Sequence, residues 1–184
     1  MPVYTIQIER LVLPPKTFHL KEVIDMFGFG KKKENALYAV QDGEIVPIEK
    51  VPDQVFSQKI LGEGIALLPE KGRILSPLSG TVSNVADTLH AYGITGDDGL
   101  EVLVHIGIDT VGLNGEGFIS MVKEGERVKA GDPVAQADLE LIRSRGLSTH
   151  VVTVITNSQD IEIVSMASGR AHGGETPVFV YRKK

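Results

Sequence analysis

The sequence predicts an all-β fold: an antiparallel β-sandwich or barrel with an internally duplicated hybrid motif and one or two short helices. Three observations lead there. From Leu37 onward the chain runs in short apolar segments punctuated by glycine and proline, the pattern of strands joined by tight turns. Residues 40–46 (VQDGEIV) resemble residues 77–82 (PLSGTV), each with a glycine turn before a β-branched strand start, which points to duplication. Residues 122–134 (VKEGERVKAGDPV) carry glycine turns at regular spacing, as barrels and sandwiches do.

Two parts are expected: an N-terminal extension and linker over 1–36, and one domain over 37–184. Residues 3–13 read as a strand stopped by Pro14-Pro15, and 18–26 as a short helix. Residues 26–33 combine two phenylalanines with Lys31-Lys32-Lys33, a solvated linker or, at most, a weak contact with a membrane surface. Met26 is an alternative start that would make residues 1–25 dispensable. Asp53 is placed to cap one helical turn carrying Val55 and Phe56. Residues 60–68 read as a strand and Lys71-Gly72 as a turn. The best helix candidate is 138–145, with an Asp138 cap, Leu139 and Ile142 inward, and Gly146 to stop it. Residues 151–156 and 178–182 are expected to close the sheet.

A length of 184 residues suits one domain with ample material for a core. The net charge of −5 is mild and there is no basic stripe; aromatics are scarce and tryptophan is absent. Nucleic acid is therefore not expected as a partner. Without cysteine the chain has no disulfide framework, no thiolate nucleophile and no cysteine-based zinc site. No long apolar run suggests a membrane span and no signal-peptide pattern is visible, so a cytoplasmic location is expected.

Residues 88–118 carry two of the five histidines. Gly96-Asp97-Asp98-Gly99 reads as a hairpin turn between two apolar runs. With Asp97-Asp98 as the loop, His90 lies directly opposite His105, and Cβ atoms of such pairs are about 4.5–5.5 Å apart. Along the second strand Val102, Val104, Ile106 and Ile108 share the core face, so His105 points the other way. Thr88 falls on the histidine face, with a hydroxyl able to fix an imidazole tautomer.

Three readings of the pair compete. The plainest treats each histidine as a satisfied strand residue; His19, His150 and His172 are left in that class. A second is a metal centre of His105, Asp109 and His90. Strand residues four apart lie roughly 13 Å apart at about 3.3 Å per residue, so Gly107 would have to bend the strand. The third is phosphoryl transfer, with one imidazole as nucleophile and the other donating a hydrogen bond to the phosphoryl oxygens. No nucleotide-binding loop or kinase signature occurs, so the phosphoryl group would arrive from one protein and leave to another. Asp53, Asp109 and Glu116 would meet a basic partner, with Val55, Phe56, Val111 and Phe118 as apolar contacts.

The segments 88–92 (TLHAY), 105–111 (HIGIDTV) and 114–118 (NGEGF) strongly resemble the glucose-family enzyme IIA of the bacterial sugar phosphotransferase system. So do 51–56 (VPDQVF), 62–66 (GEGIA), 76–82 (SPLSGTV) and 174–178 (GETPV); the likeness covers roughly 37–184. The resemblance implies a compact β-sandwich or barrel in which His105 is phosphorylated, His90 is its transition-state partner and Thr88 orients His105. Phosphate would come from the histidine phosphocarrier protein and pass to a cysteine on the IIB domain of a IIB/IIC sugar permease. No cofactor is required. Regulated permeases or kinases are further partners, and some family complexes share a zinc ion between the two histidines and a partner carboxylate. Zinc peptidases of the lysostaphin type need a later His-x-His pair, and biotinyl or lipoyl carriers need a modifiable lysine in a tip tripeptide; the sequence has neither.

Overall fold

A computed structural model describes residues 34–184; the expected strand over 3–13, helix over 18–26 and surface contact at 26–33 lie outside them. In chain order the strands are β1 (Asn35–Tyr38), β2 (Gly43–Pro47), β3 (Glu63–Pro69), β4 (Arg73–Leu75), β5 (Gly80–Val85), β6 (Ala91–Gly96) and β7 (Glu101–Ile106). They continue with β8 (Phe118–Ser120), β9 (Arg127–Val128), β10 (Pro133–Ala137), β11 (Val151–Ile155), β12 (Ile161–Met166), β13 (Gly169–Ala171) and β14 (Pro177–Lys183). Two short helices interrupt them, α1 (Gln54–Ser57) and α2 (Leu139–Ser144). Both begin as the sequence indicates: Asp53 accepts a hydrogen bond from Phe56 N–H, and Asp138 from Glu140 and Leu141 N–H.

All pairings are antiparallel and fall into three sheets. The largest has the order β13-β2-β3-β11-β7-β6-β5-β9, and two three-stranded sheets have the orders β1-β14-β12 and β4-β10-β8. One core joins them. Val102, Val104 and Ile106 of β7 pack in a cluster with Leu37 of β1, Phe179 and Tyr181 of β14, Ile74 of β4 and Val134 of β10. The smaller sheets thus cover one face of the large one, which is the sandwich the apolar pattern predicts.

The duplication is visible in the strand starts. Gly43 opens β2 against β3, and Gly80 opens β5 against β6. A Cβ at either position would lie 2.2 Å from a partner carbonyl, Leu68 O or Thr95 O, so only glycine allows the two backbones to pair this closely.

The first strand of the described residues begins at Asn35, where Asn35 and Ala36 pair with Tyr181 and Val180. Two expectations differ in detail. The strand expected over 60–68 starts at Glu63; Lys59 and Gly62 have positive φ, and the turn they make leaves Ile60 64% and Leu61 39% exposed. Finally, β11 does not close the large sheet but lies inside it between β3 and β7, and β14 is the middle strand of its own sheet. Every residue of β11 is buried, because residues 48–56 cross the outer face of the sheet and lay Ile48, Val51 and Phe56 over Val152 and Val154.

Candidate active site

The site lies on that outer face, at the end of β7. The β6–β7 hairpin is one residue out of step with the expected register: Ala91 opposes His105 and Thr95 opposes Glu101. The turn is longer than two residues. Gly96 N–H donates to Leu100 O at 2.7 Å, Gly99 N–H to Gly96 O at 2.8 Å, and Gly99 takes φ 83°. Even so, the His90 and His105 rings meet edge to face with centroids 4.9 Å apart and planes at 83°. His90 precedes β6 and sits in the turn after β5, where Leu89 has φ 56°. Strand alternation therefore does not govern its side chain, and the turn swings the ring onto the face of His105.

At the other end of the site β7 stops abruptly. Gly107 has φ 77°, and a Cβ there would lie 2.3 Å from Thr110 Cγ2, so the reversal needs glycine. The reversal corrects one expected facing. Ile108 leaves the main core and joins Ile48, Val51, Phe56 and Val152 on the histidine side. It also aims the Gly107 carbonyl back at His105, whose Nδ1 donates to it at 2.8 Å.

These contacts set the chemistry of each ring. A carbonyl only accepts, so His105 carries its hydrogen on Nδ1 and keeps a lone pair on Nε2. His90 Nδ1 lies 2.6 Å from Thr88 Oγ1; when the hydroxyl donates, His90 Nε2 carries the hydrogen. One ring then presents a nucleophile and its neighbour a donor. Burial is the main cause that pushes His105 down to about 4, with the His90 ring adding to it; the Gly107 carbonyl and the carboxylates of Asp53 and Asp109 oppose the shift. Burial also lowers His90. Both rings are consequently neutral at neutral pH. Phe56 supplies part of this burial, packing edge-on to His105 at 5.0 Å, and the Asp53 cap holds the helical turn that carries it.

The remaining expected residues divide. Thr88 contacts His90, two residues along the same turn, and not His105; Gly107 O orients His105 instead. Val55 and Val111 are 41% and 55% exposed, and together with Ile60 and Leu61 they offer apolar surface. Asp109 is exposed, and Glu116 is exposed but paired with Arg145 at 2.8 Å. Phe56 and Phe118 are each only 6% exposed, which removes them as docking contacts. Their rings are drawn inward, Phe56 beneath the histidines and Phe118 into the main core, because so much apolar area gains by leaving water.

The expected metal centre of His105, Asp109 and His90 does not form: the bend at Gly107 turns Asp109 out to solvent, and among the described residues no group of three histidine or carboxylate side chains is placed to hold a metal ion. His150, left among the satisfied strand residues by the sequence, lies beside the site, where its carbonyl accepts from Gly107 N–H. Ser148-Thr149-His150 has the hydroxyl-x-His spacing of Thr88-Leu89-His90, and Ser148 Oγ lies 2.6 Å from His150 Nδ1, the same geometry. That spacing was the available signal.

A family model described as "phosphoenolpyruvate-dependent sugar phosphotransferase system, EIIA 1" matches residues 35–161. The glucose-specific EIIA component of Staphylococcus aureus is 44% identical over 157 residues, covering 84% of this chain and 95% of that protein. The glucose-specific EIICBA component of Streptococcus pneumoniae is 47% identical over 142 residues, 77% of this chain, and the match spans only 20% of that longer protein. Among solved structures, glucose permease IIA from Mycoplasma capricolum superposes with a TM-score of 0.77 at 32% identity, covering 80% of this chain and 96% of that one.

Proposed function

This chain belongs to the EIIA 1 family of the phosphoenolpyruvate-dependent sugar phosphotransferase system, and from that premise we propose that it relays a phosphoryl group through His105. The observation that supports this best is the complementary pair of rings, a lone pair on His105 Nε2 beside a donor on His90.

In the first step His105 Nε2 attacks the phosphorus of the phosphohistidine on the histidine phosphocarrier protein. The new P–N bond forms as the old one breaks, and the carrier's ring nitrogen leaves with the electron pair. Charge on the three phosphoryl oxygens is met by the His90 Nε2–H, already aimed and partly shielded from water. Positive charge that develops on the His105 ring is met by the Gly107 carbonyl, with Asp53 and Asp109 adding a longer-range attraction. In the second step a cysteine thiolate of a IIB domain attacks the phosphorus, and His105 recovers its electron pair. The acceptor lies on another domain, since this chain has no cysteine. The fused EIICBA architecture of the pneumococcal relative supports a IIB/IIC permease as the recipient. Val55, Ile60, Leu61 and Val111 form the apolar rim against which both partners dock, on the cytoplasmic side of the membrane.

Zinc fits only as a shared ion. His105 Nε2 supplies one donor as it stands and His90 Nε2 a second once its hydrogen moves to Nδ1, where Thr88 Oγ1 would accept it; the rest of the shell must come from a partner such as a regulated permease or kinase. The lone pair that would hold the ion is the one that attacks phosphorus, so zinc binding and phosphorylation exclude each other.

The deciding experiment is incubation with phosphoenolpyruvate, the general phosphotransferase enzyme and the phosphocarrier. Acid-labile, base-stable label on His105, absent from His105→Gln, is expected. Label on another residue, or none, overturns the reading.

A further inference from the structure

The mechanism above leaves one imidazole on the same sheet face unused. β11 flanks β7 on the side away from β6, and Val152 opposes His105. Two backbone bonds extend the pairing past the strand end: Gly107 N–H donates to His150 O and Ile108 N–H to Ser148 O, each at 2.9 Å. Alternation then fixes where His150 faces. Val151 belongs to the main core and Val152 to the outer cluster, so His150 and Ser148 point outward with Val152 and His105. The contact between Ser148 Oγ and His150 Nδ1 requires the same arrangement. Three adjacent strands thus bring three histidines to the end of β7: His90 ahead of β6, His105 on β7, and His150 ahead of β11.

Its hydrogen-bond polarity matches that of His90. Ser148 Oγ accepts from His150 N–H at 3.4 Å and lies 2.6 Å from Nδ1; when the hydroxyl donates there, as at Thr88 and His90, the ring hydrogen lies on Nε2. Among the described residues no hydrogen bond engages that Nε2, and the residue is partly exposed. Diagonal cross-strand neighbours lie about 7–8 Å apart, with their Cβ atoms somewhat closer, a gap that one imidazole and a phosphorylated one span together.

We propose that His150 is a third imidazole of the transfer site, donating from Nε2 to a phosphoryl oxygen on His105 from the side opposite His90. The proposal rests on the phosphoryl-relay reading. It divides the phosphoryl charge between two neutral donors that flank the nucleophile. Ser148 serves as the positioning residue for His150, as Thr88 does for His90.

The test uses the full chain with selectively ¹⁵N-labelled histidine, phosphorylated by the phosphocarrier, and three variants: His150→Leu, His150→Gln and Ser148→Ala. The His150 Nε2 resonance should move on phosphorylation. His150→Leu should slow transfer from the carrier roughly tenfold, the size expected for one lost hydrogen bond to a charged group. His150→Gln, which keeps an N–H donor, should recover most of that rate, and Ser148→Ala should lie between the two. The substitutions spare the backbone bonds to Gly107 and Ile108, so folding is preserved. An unmoved His150 resonance, an unchanged rate in His150→Leu, or equal slowing in the Leu and Gln variants overturns the proposal while label on His105 keeps the relay reading. An unlabelled wild type sinks both.

Discussion

His90 and His105 have the same side chain and are given different work by what touches Nδ1. A carbonyl behind His105 leaves its Nε2 bare; a hydroxyl behind His90 lets its Nε2 keep a hydrogen. The roles separate in kinetics. His90→Leu, which removes the donor, should accept phosphate from the carrier and pass it on to the IIB cysteine more slowly by about 10²–10³-fold, the usual loss for one preorganised donor. Equal loss of acceptance in His90→Leu and His105→Gln would contradict the division. Thr88→Ala, which removes only the partner of His90, should slow transfer by about tenfold without unfolding the domain, as read by rates and circular dichroism together. The burial of His105 sets a pH signature. Its folded value of about 4 lies below the roughly 6.5 of an unfolded histidine, so in that window the unfolded chain binds the extra proton. Stability should rise with pH between those limits and level off above them. An NMR titration should show His105 neutral down to pH 5; an inflection near 6.5 would show that burial does not govern it.

At the scale of single elements, the sequence announced the pieces better than their joints. Asp53 and Asp138 cap the helices expected of them, and the glycine turns bound the strands. The hairpin register slipped because Gly99, in a left-handed conformation, extends the turn by one residue; the histidines still meet because Leu89 breaks alternation before β6. The Leu89 conformation is not legible from residue type, since leucine seldom adopts positive φ, whereas the Gly99 one is open to any glycine and only its use here was undeclared. The duplicated segments carry a prediction of their own. Aligning their glycines, Gly43 with Gly80, sets Gln41 against Leu78, and both are buried, at 3% and 5% exposure. Leu78 packs in the core, whereas Gln41 has neither Oε1 nor Nε2 hydrogen-bonded among the described residues. A buried amide left unpaired costs about 1–3 kcal/mol, so Gln41→Leu should stabilise the domain by that amount. In thermal unfolding this is a rise of about 2–4 °C per kcal/mol for a chain of this size. An unchanged or lower Tm would mean that water satisfies the amide.

For the whole molecule, what local pattern could not convey was sequence-distant pairing. β11 inserts between β3 and β7, so Val152 pairs with His105, and His150 bonds Gly107, from more than forty residues away; nothing near position 150 declares that neighbour. The same non-local logic fixes where the chain can be cut. β1 and β14 join the two ends of the described chain: Asn35 pairs with Tyr181, Leu37 with Phe179, and Glu34 bonds Arg182. Leu37 is fully buried in the main core. Deleting residues 1–25 spares all of this, and the shortened chain should keep its Tm and its phosphotransfer rate within about a factor of two, a change of under 0.5 kcal/mol. Deleting residues 1–38 removes β1 and exposes the pairing edge of β14. Losing Leu37 alone removes about 2–5 kcal/mol of packing, a large share of the 5–15 kcal/mol that holds a typical domain together. That chain should unfold or aggregate at 37 °C, and with β14 left as an edge strand it should do so although every residue of the histidine site is present. If the shorter deletion already costs stability or transfer, residues 1–25 belong to the working fold; if the longer one is tolerated, the β1–β14 clasp does not hold the sandwich together.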